Sequence, residues 1–506
     1  MQELSPISTD KTVAAPEQVF EARHLVNGRW IDSQDKQKFE RRSPSTGAVV
    51  SRCSLGGEAE VEAAIAAARS AFDDGPWSTL TGKDRAGYLN RVADLIERKQ
   101  ERIALFETME SGKPISQARS EIEGAVDLWR YAAALARTLH GDSHNSLGND
   151  MLAVVLKEPI GVVSMITPWN FPFLIISQKL PYALAAGCTA VIKPSELTSV
   201  TTVILGELLL EAGLPDGVVN IVLGYGQPVG TTMSTHASVD MVSFTGSTAV
   251  GKGIVAATSQ TLKKVSLELG GKNPQVLFPD ADLDSAIDAI VFGIYFNAGE
   301  CCNSGSRIIV HEDIVQRVVS RVVALSHKVP FGDPLHPDTK VGAIISPEHN
   351  AKIDGYVKAA GDAGATIEMG GGPLSVEGLS GQFYQPTVVS GVTPDMPIAN
   401  EEVFGPVLAV QTFRTTKEAI DLVNKNNYGL SAGVWSENIH TCLAFAREVR
   451  AGTVWTNTWM DGYSELPFGG MKESGLGREL GRYGVEEFLE TKTVQMRVGH
   501  TRENWI

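Results

Sequence analysis

The chain has 506 residues, 43% hydrophobic and 20% charged, enough apolar material for two or three domains with cores of their own. A net charge of −15 and a pI near 5.2, with no basic tract to offset them, exclude a nucleic-acid or anionic-membrane surface as the main partner and leave a small molecule or a protein. Met1–Glu21 lacks an apolar signal core and no run approaches the ~20 apolar residues of a membrane span, so no membrane partner is expected. Five scattered cysteines (Cys53, Cys188, Cys301, Cys302, Cys442) make a poor disulfide framework and suit a reducing, cytoplasmic setting. With no C-x-x-C and no H-E-x-x-H, no metal site is expected.

In chain order, the first part reads as mostly helical. Apolar residues recur at three- and four-residue spacing over Glu60–Phe72 and Arg85–Thr108, and Gly112-Lys113-Pro114 stops the second helix. From about Ile160, β-branched runs alternate with helices: Thr189–Lys193, Val218–Val222, Met241–Phe244 and Val265–Leu269. Such alternation predicts a parallel, doubly wound sheet. A second alternating set predicts a second α/β domain, with strands at Arg307–Val310, Val407–Phe413 and Gly452–Thr456 and a helix over Asp313–Lys328. Met151–Lys157 and Thr491–Val498 fit neither set; each reads as a strand for an edge hairpin or an oligomer contact.

Phe244-Thr-Gly-Ser-Thr-Ala-Val-Gly-Lys252 ends one predicted strand and opens a helix, so the first-turn N–H groups near Ser247 could hold a phosphate. It approaches a P-loop, but Gly253 stands where the magnesium-binding hydroxyl belongs, and no strict G-x-G-x-x-G occurs. A ligand-free Gly-rich turn accounts for this motif equally well. Lys193-Pro-Ser-Glu196 follows another strand end, where Glu196 could accept ribose hydroxyls or, with Ser195, simply cap a helix. Glu401-Glu-Val-Phe-Gly-Pro406 joins acid and ring in a turn, suited to a sugar hydroxyl and a flat ring or to solvent alone. For chemistry there is a nucleophile in Cys302, an amide in Asn170 for a developing oxyanion, and a carboxylate in Glu268 for a base. Taken singly, each has a bland reading: an inert packed thiol, a rigid Pro-flanked loop, a strand-end surface acid.

Together these segments resemble the aldehyde dehydrogenase superfamily, the NAD(P)-dependent oxidisers of aldehydes to acids. The resemblance spans nearly the whole chain: Thr167-Pro-Trp-Asn-Phe-Pro172, Lys193–Glu196, Phe244–Thr248, Glu268-Leu-Gly-Gly-Lys272, Gly299-Glu-Cys-Cys302, Glu401–Pro406 and Pro467–Glu479, in the family's order. It implies a doubly wound NAD-binding domain over 20–140 and 160–268, an α/β catalytic domain over 269–480, a small β oligomerisation element from 141–159 and 481–506, and an N-terminal extension at 1–19. It implies Cys302 as nucleophile, with Asn170 and the Cys302 N–H holding an oxyanion, Glu268 activating water for thioester hydrolysis, and Lys179 and Glu479 relaying protons. Its cofactor contacts fall on Ile166, Thr167, Trp169, Lys193, Ser195, Glu196, Gly226, Phe244, Gly246, Ser247, Leu269, Gly270, Glu402 and Phe404. Glu196 would repel a 2′-phosphate and so favours NAD, although relatives with this Glu can accept NADP. A homodimer or homotetramer acting on a small-molecule aldehyde is expected.

Position 300 is usually Gln in that family and is Glu here. An ionised Glu300 would raise the Cys302 pKa, so Glu300→Gln is expected to move the acid limb of activity to lower pH. For substrate, Phe171, Phe296, Trp455 and Trp459 could line a tunnel for a cationic aldehyde of the betaine, amino or guanidino type, whereas Gln178 stands where many relatives carry Trp. General aliphatic or aromatic aldehydes and semialdehydes are the alternatives. Glu121 and Glu123 read as solvated helix-surface acids. Glu268 argues against a CoA-acylating relative, which would dispense with the base, and the retained Cys302, Asn170 and Glu268 argue against a catalytically silent binding or structural homologue.

Overall fold

The computed structural model describes residues 12–16 and 18–499; most of the 1–19 extension and residues 500–506 lie outside the described residues. Two sheets organise the molecule. The first carries, in spatial order, Gly475–Leu476, Lys264–Glu268, Met241–Thr245, Val162–Ile166, Thr189–Lys193, Val219–Ile221, His24–Val26 and Arg29–Ile31. Its five central strands are mutually parallel, and antiparallel pairs close both edges. The second runs Thr366–Met369, Thr387–Ser390, Val407–Phe413, Arg307–His311, Pro274–Leu277, Ser431–Trp435 and Thr453–Thr456, parallel except at its Thr366–Met369 edge. The fold is therefore α/β in both halves, as the alternation predicts. Central strands such as Val162–Ile166 and Thr189–Lys193 are buried along their whole length, which is why they read as unbroken β-branched runs.

The N-terminal part differs from its helical reading, because five short strands between Phe20 and Ser54 come before the first helix, Glu58–Asp73. Lys38–Arg42 alternates exposed and buried residues, yet runs of three to six residues are too short to stand out by period. The helix expected over Arg85–Thr108 is two, Gly82–Arg98 and Gln100–Ser111, because Lys99 leaves helical geometry at φ −107°, ψ 11°. Gly112 ends the second in the left-handed region at φ 81°. The orphan segments pair with each other: Met151–Pro159 runs antiparallel to Leu489–Arg497 along nine residue pairs, within one chain. Glu121 is not solvated. It is buried against the Lys113 ammonium, which also reaches Glu107 at 3.2 Å, while Glu123 is exposed as expected.

Candidate active site

The parallel strands of the first sheet end together, and their C-terminal ends deliver the site. Ile166 closes one strand, after which the Thr167 N–H donates to the Lys193 carbonyl at 3.1 Å and fixes the Pro168–Asn170 turn beside the neighbouring strand end. Thr245 and Glu268 close the next two strands. Between these ends and the second sheet lies a cleft of about 240 Å³, lined among others by Trp169, Asn170, Glu268, Cys302, Glu402 and Phe404.

Cys302 reaches the cleft through an unusual turn. Asn297, Ala298 and Gly299 all lie in the left-handed region, at φ 50°, 54° and 73°. A Cβ on Gly299 would stand 2.1 Å from the Gly405 carbonyl oxygen, so no side chain fits there. The turn is then pinned by side-chain amides: Asn297 Nδ2 donates to the Asn170 and Glu300 carbonyls at 3.1 and 2.9 Å, and Asn273 Nδ2 donates to the Cys302 carbonyl at 2.8 Å. Asn170 Nδ2 also donates to the Glu300 carbonyl at 3.1 Å, which orients the amide and leaves its second N–H to the cleft. Cys302 is half-buried, whereas Cys301 is buried among Phe171 and Ile175 and donates to Asn303 at 2.8 Å. Contact with Cys301 and then burial push the Cys302 thiol up, with Glu402 adding a smaller push.

Glu268 faces the same cleft. Both its carboxylate oxygens are buried without a hydrogen-bond partner, and burial, then Glu479, raise its pKa well above the carboxylate range against the pull of Lys179. Gly469 makes room for this carboxyl, since a Cβ there would come 2.7 Å from Glu268 Oε1. Lys179 and Glu479 form a buried ion pair, and Lys179 Nζ also donates to Ser243 at 3.1 Å; neither lines the cleft, so both stand behind the base.

The expected cofactor residues divide into two groups. Trp169, Gly246, Ser247, Leu269, Gly270, Glu402 and Phe404 line the cleft; Ile166, Thr167, Lys193, Ser195, Glu196, Gly226 and Phe244 do not. Lys193 Nζ is spent on the Pro194 and Gly224 carbonyls at 2.8 and 2.9 Å and lies 3.7 Å from Glu196, whose half-exposed carboxylate keeps free acceptor capacity. Capping does not explain Ser195 or Glu196: the next helix begins at Val200, and its N–H donates to Glu110 at 2.9 Å. Ser247 caps the Thr248–Thr258 helix by accepting from Val250, presenting that helix start to the cleft. Glu402 Oε1 accepts from the Gly271 N–H at 3.0 Å, and burial pushes its carboxyl up to about 7. Gly270 is needed for this fit, since a Cβ there would stand 2.3 Å from Glu402. Glu401, by contrast, is exposed and accepts from the Tyr356 hydroxyl at 2.6 Å. A helix start, a diol acceptor at Glu196 and a half-buried acid at Glu402 suit a dinucleotide's phosphate and two sugars.

Five cleft residues have no role in the sequence reading: Pro168 and Thr245, which lie inside its quoted motifs, and Ile175, His349 and Lys352, which do not. His349 Nε2–H donates to the Phe404 carbonyl at 2.6 Å, and Trp169, His349 and Phe404 meet edge to face at 5.3–5.9 Å between centroids. That bond holds Phe404 in its strained conformation at φ 61°. The available signal was Ser346-Pro347, a cap and first-turn pair opening the helix that carries both His349 and Lys352.

Two expectations about the thiol's surroundings fail. The Glu300 carboxyl is not among the cleft's lining groups: it accepts from the Ile345 N–H at 3.0 Å and lies 3.8 Å from His349 Nε2, and burial raises its pKa well above the ordinary value against the pull of Lys113 and Arg41. Trp455 and Trp459 are buried against each other at 4.8 Å in the core of the second domain, with Trp459 filling the space beside Gly293, Gly305 and Gly433. Phe171 and Phe296 do stack, at 6.0 Å, beside Cys301.

A thiol, an oriented amide and a buried carboxyl around one cleft, at the strand ends of a doubly wound sheet, define an α/β enzyme of the covalent-thiol, nucleotide-dependent class. The comparisons make this specific: the model described as "Aldehyde dehydrogenase family" matches residues 30–494, and the chain belongs to the aldehyde dehydrogenase family. The betaine aldehyde dehydrogenase of Bacillus subtilis is 41% identical over 95% of this chain and 99% of its own length. Aldehyde dehydrogenase 1A1 of Gallus gallus is 42% identical over 94% and 93%. Among solved structures, the NAD-dependent aldehyde dehydrogenase of Sinorhizobium meliloti superposes with a TM-score of 0.95 at 48% identity, over 97% of this chain and 99% of that one. The betaine aldehyde dehydrogenase of Staphylococcus aureus in complex with NAD+ gives 0.93 at 39%, covering 96% of each.

Proposed function

We propose that the protein oxidises an aldehyde to its carboxylic acid with NAD, through a covalent intermediate on Cys302. The observation that carries this is the pairing, in one cleft, of a half-buried thiol with a buried carboxyl that has no other partner. Once its thiol proton has passed through Glu268 to solvent, Cys302 Sγ adds to the aldehyde carbon, forming a thiohemiacetal whose oxyanion takes hydrogen bonds from the Asn170 amide and the Cys302 N–H. Bound NAD supplies the acceptor for the hydride that this carbon gives up as the adduct becomes a thioester. Glu268 then takes a proton from water, which attacks the thioester and releases acid and thiol, while Lys179 and Glu479 set the proton affinity of Glu268 from behind. Glu196, Ser247, Glu402 and Phe404 hold the dinucleotide, with Trp169 and His349 bracing Phe404. Glu196 supports NAD over NADP.

The betaine-type reading of the substrate is supported by the names of the relatives and by the Phe171–Phe296 stack, and it loses the support of Trp455 and Trp459. All five cysteines are free thiols, which supports a cytoplasmic setting. No helix among the described residues is long and apolar enough to cross a membrane. The Met151–Pro159 and Leu489–Arg497 ribbon supports assembly into a homodimer or homotetramer. Stopped-flow NADH formation tests the chemistry: Cys302→Ala is expected to give none, and Glu268→Gln a single-turnover burst without steady turnover. Turnover by Cys302→Ala would overturn the nucleophile.

A further inference from the structure

Lys113 lies in the turn between the helices Gln100–Ser111 and Ile115–Ala136, and the proposed chemistry gives it no task. Its side chain is fully buried, and each flanking helix supplies it with a carboxylate, Glu107 at 3.2 Å and Glu121. The same ammonium stands 4.2 Å from the centroid of the Phe171 ring, well inside the ~6 Å reach of a cation–π contact. Such contacts strengthen where water is excluded, and here both partners are buried. The turn itself is fixed against the second half of the molecule. The Gly112 carbonyl accepts from the Ala343 N–H at 3.0 Å, and the Ile115 N–H donates to the Pro334 carbonyl at 2.8 Å.

Phe171 joins this cation to the reacting groups. It follows Asn170 directly, and its carbonyl accepts from the Ile175 N–H at 2.9 Å as the helix Pro172–Ala186 opens. Its ring packs with Ile175 and with Cys301, the residue before the nucleophile, and stacks on Phe296. One ring therefore bears on both segments that supply oxyanion donors, on Asn170 through the chain and on Cys302 through Cys301. Two carboxylates would stabilise a buried ammonium equally well away from any ring, so charge pairing alone does not explain its place over Phe171. Lys113 does not line the cleft, so any effect it has on the reaction passes through that ring.

We propose that Lys113 is a positioning residue for the first half of the reaction: its ammonium, held by Glu107 and Glu121, fixes the Phe171 ring and through it the Asn170 amide and the Cys302 N–H. This role rests on Cys302 being the nucleophile. Loss of the cation frees the ring to shift, and a displacement of ~1 Å at a reacting group costs up to ~10²-fold in rate. Glu196, Ser247 and Glu402, on the dinucleotide side, keep their places.

Stopped-flow NADH bursts of the full chain at saturating NAD test this. Lys113→Met is expected to slow the burst by about 10- to 100-fold with the KM for NAD unchanged. A lysine that only stabilised the fold would lower the melting temperature and leave the folded protein's burst as fast as in the wild type. Lys113→Arg, which keeps a cation on the ring, should recover most of the rate. Phe171→Leu should slow the burst as much as Lys113→Met does, and the two changes together should cost no more than either, as for residues that act as a unit. Phe171→Leu also keeps the test open if the methionine variant fails to fold. A wild-type burst rate in either single variant, or additive losses in the pair, would overturn the positioning role. A full-rate burst in Lys113→Met that disappears in Cys302→Ala overturns this role alone, whereas a burst that survives Cys302→Ala overturns the thiol chemistry beneath it.

Discussion

A carboxyl that takes a proton from water works best with its pKa lifted toward neutrality, and Glu268 is lifted by burial and by Glu479 while Lys179 pulls it back. Removing the Glu479 charge leaves the Lys179 cation acting alone, so Glu268 ionises more readily. Glu479→Gln is therefore expected to move the acid limb of thioester hydrolysis to lower pH, and Lys179→Met to move it higher. Single-turnover acyl hydrolysis measured across pH reads both. Glu268→Gln should slow that step by about 10²- to 10⁴-fold. Glu300→Gln should leave the profile where it is, because the carboxyl faces Ile345 rather than the thiol and glutamine keeps the same acceptor. Cys302, Glu268 and Asn170 were legible only together, through the resemblance their motifs carry, since each taken singly also has a bland reading. His349 and Lys352 were not, because on a helix a polar residue facing a cleft looks the same as one facing water.

At the scale of elements, the three left-handed residues before Glu300 aim the thiol, and Gly299 is the one that tolerates no side chain. Gly299→Ala is expected to cost more than about 2 kcal/mol, from the positive φ and the clash with Gly405, and to lower kcat by displacing Cys302. Denaturant melts and kcat measure these separately. The His24 strand makes a second point. His24 is buried with its Nδ1 accepting from the Leu223 N–H and its Nε2 bonded to Ser33, both at 3.1 Å, so the ring is held neutral. Burial lowers its pKa from 6.5 to about 4, so the native state resists the proton that the unfolded chain accepts. Stability from this group is complete above pH 6.5 and lost as pH falls toward 4. The loss reaches up to about 3 kcal/mol. His24→Gln should flatten the fall of the urea midpoint over that range. The same strand shows where sequence reading ran out: three buried residues carry no period, whereas the long β-branched strands of both sheets announced themselves.

Across the whole molecule, a cleft between two α/β halves carries the proposed chemistry and an edge ribbon carries the proposed assembly. Among the described residues, Leu489–Arg497 stands at the outer position of its three-stranded sheet, the kind of edge that a second subunit can cover. Sedimentation equilibrium is expected to return two or four times the 54.2 kDa chain mass, and a monomer would contradict the assembly. Which segments pair was open from sequence, since two strands of alternating character can meet within a chain or between chains. The substrate is set by few residues. With Trp455 and Trp459 turned into the core, kcat/KM over cationic, neutral and anionic aldehydes should favour the cationic class only as far as Phe171 and Phe296 can support it, and a preference for semialdehyde acids would overturn the betaine-type reading.

The most direct test of the account is to trap the covalent intermediate. Glu268→Gln protein mixed with NAD and aldehyde, quenched after the burst and digested, should carry one acyl group per active chain on the peptide spanning Cys301 and Cys302, with fragmentation assigning it to Cys302. An acyl group on Cys301, or a burst of NADH with no covalent adduct, would contradict it.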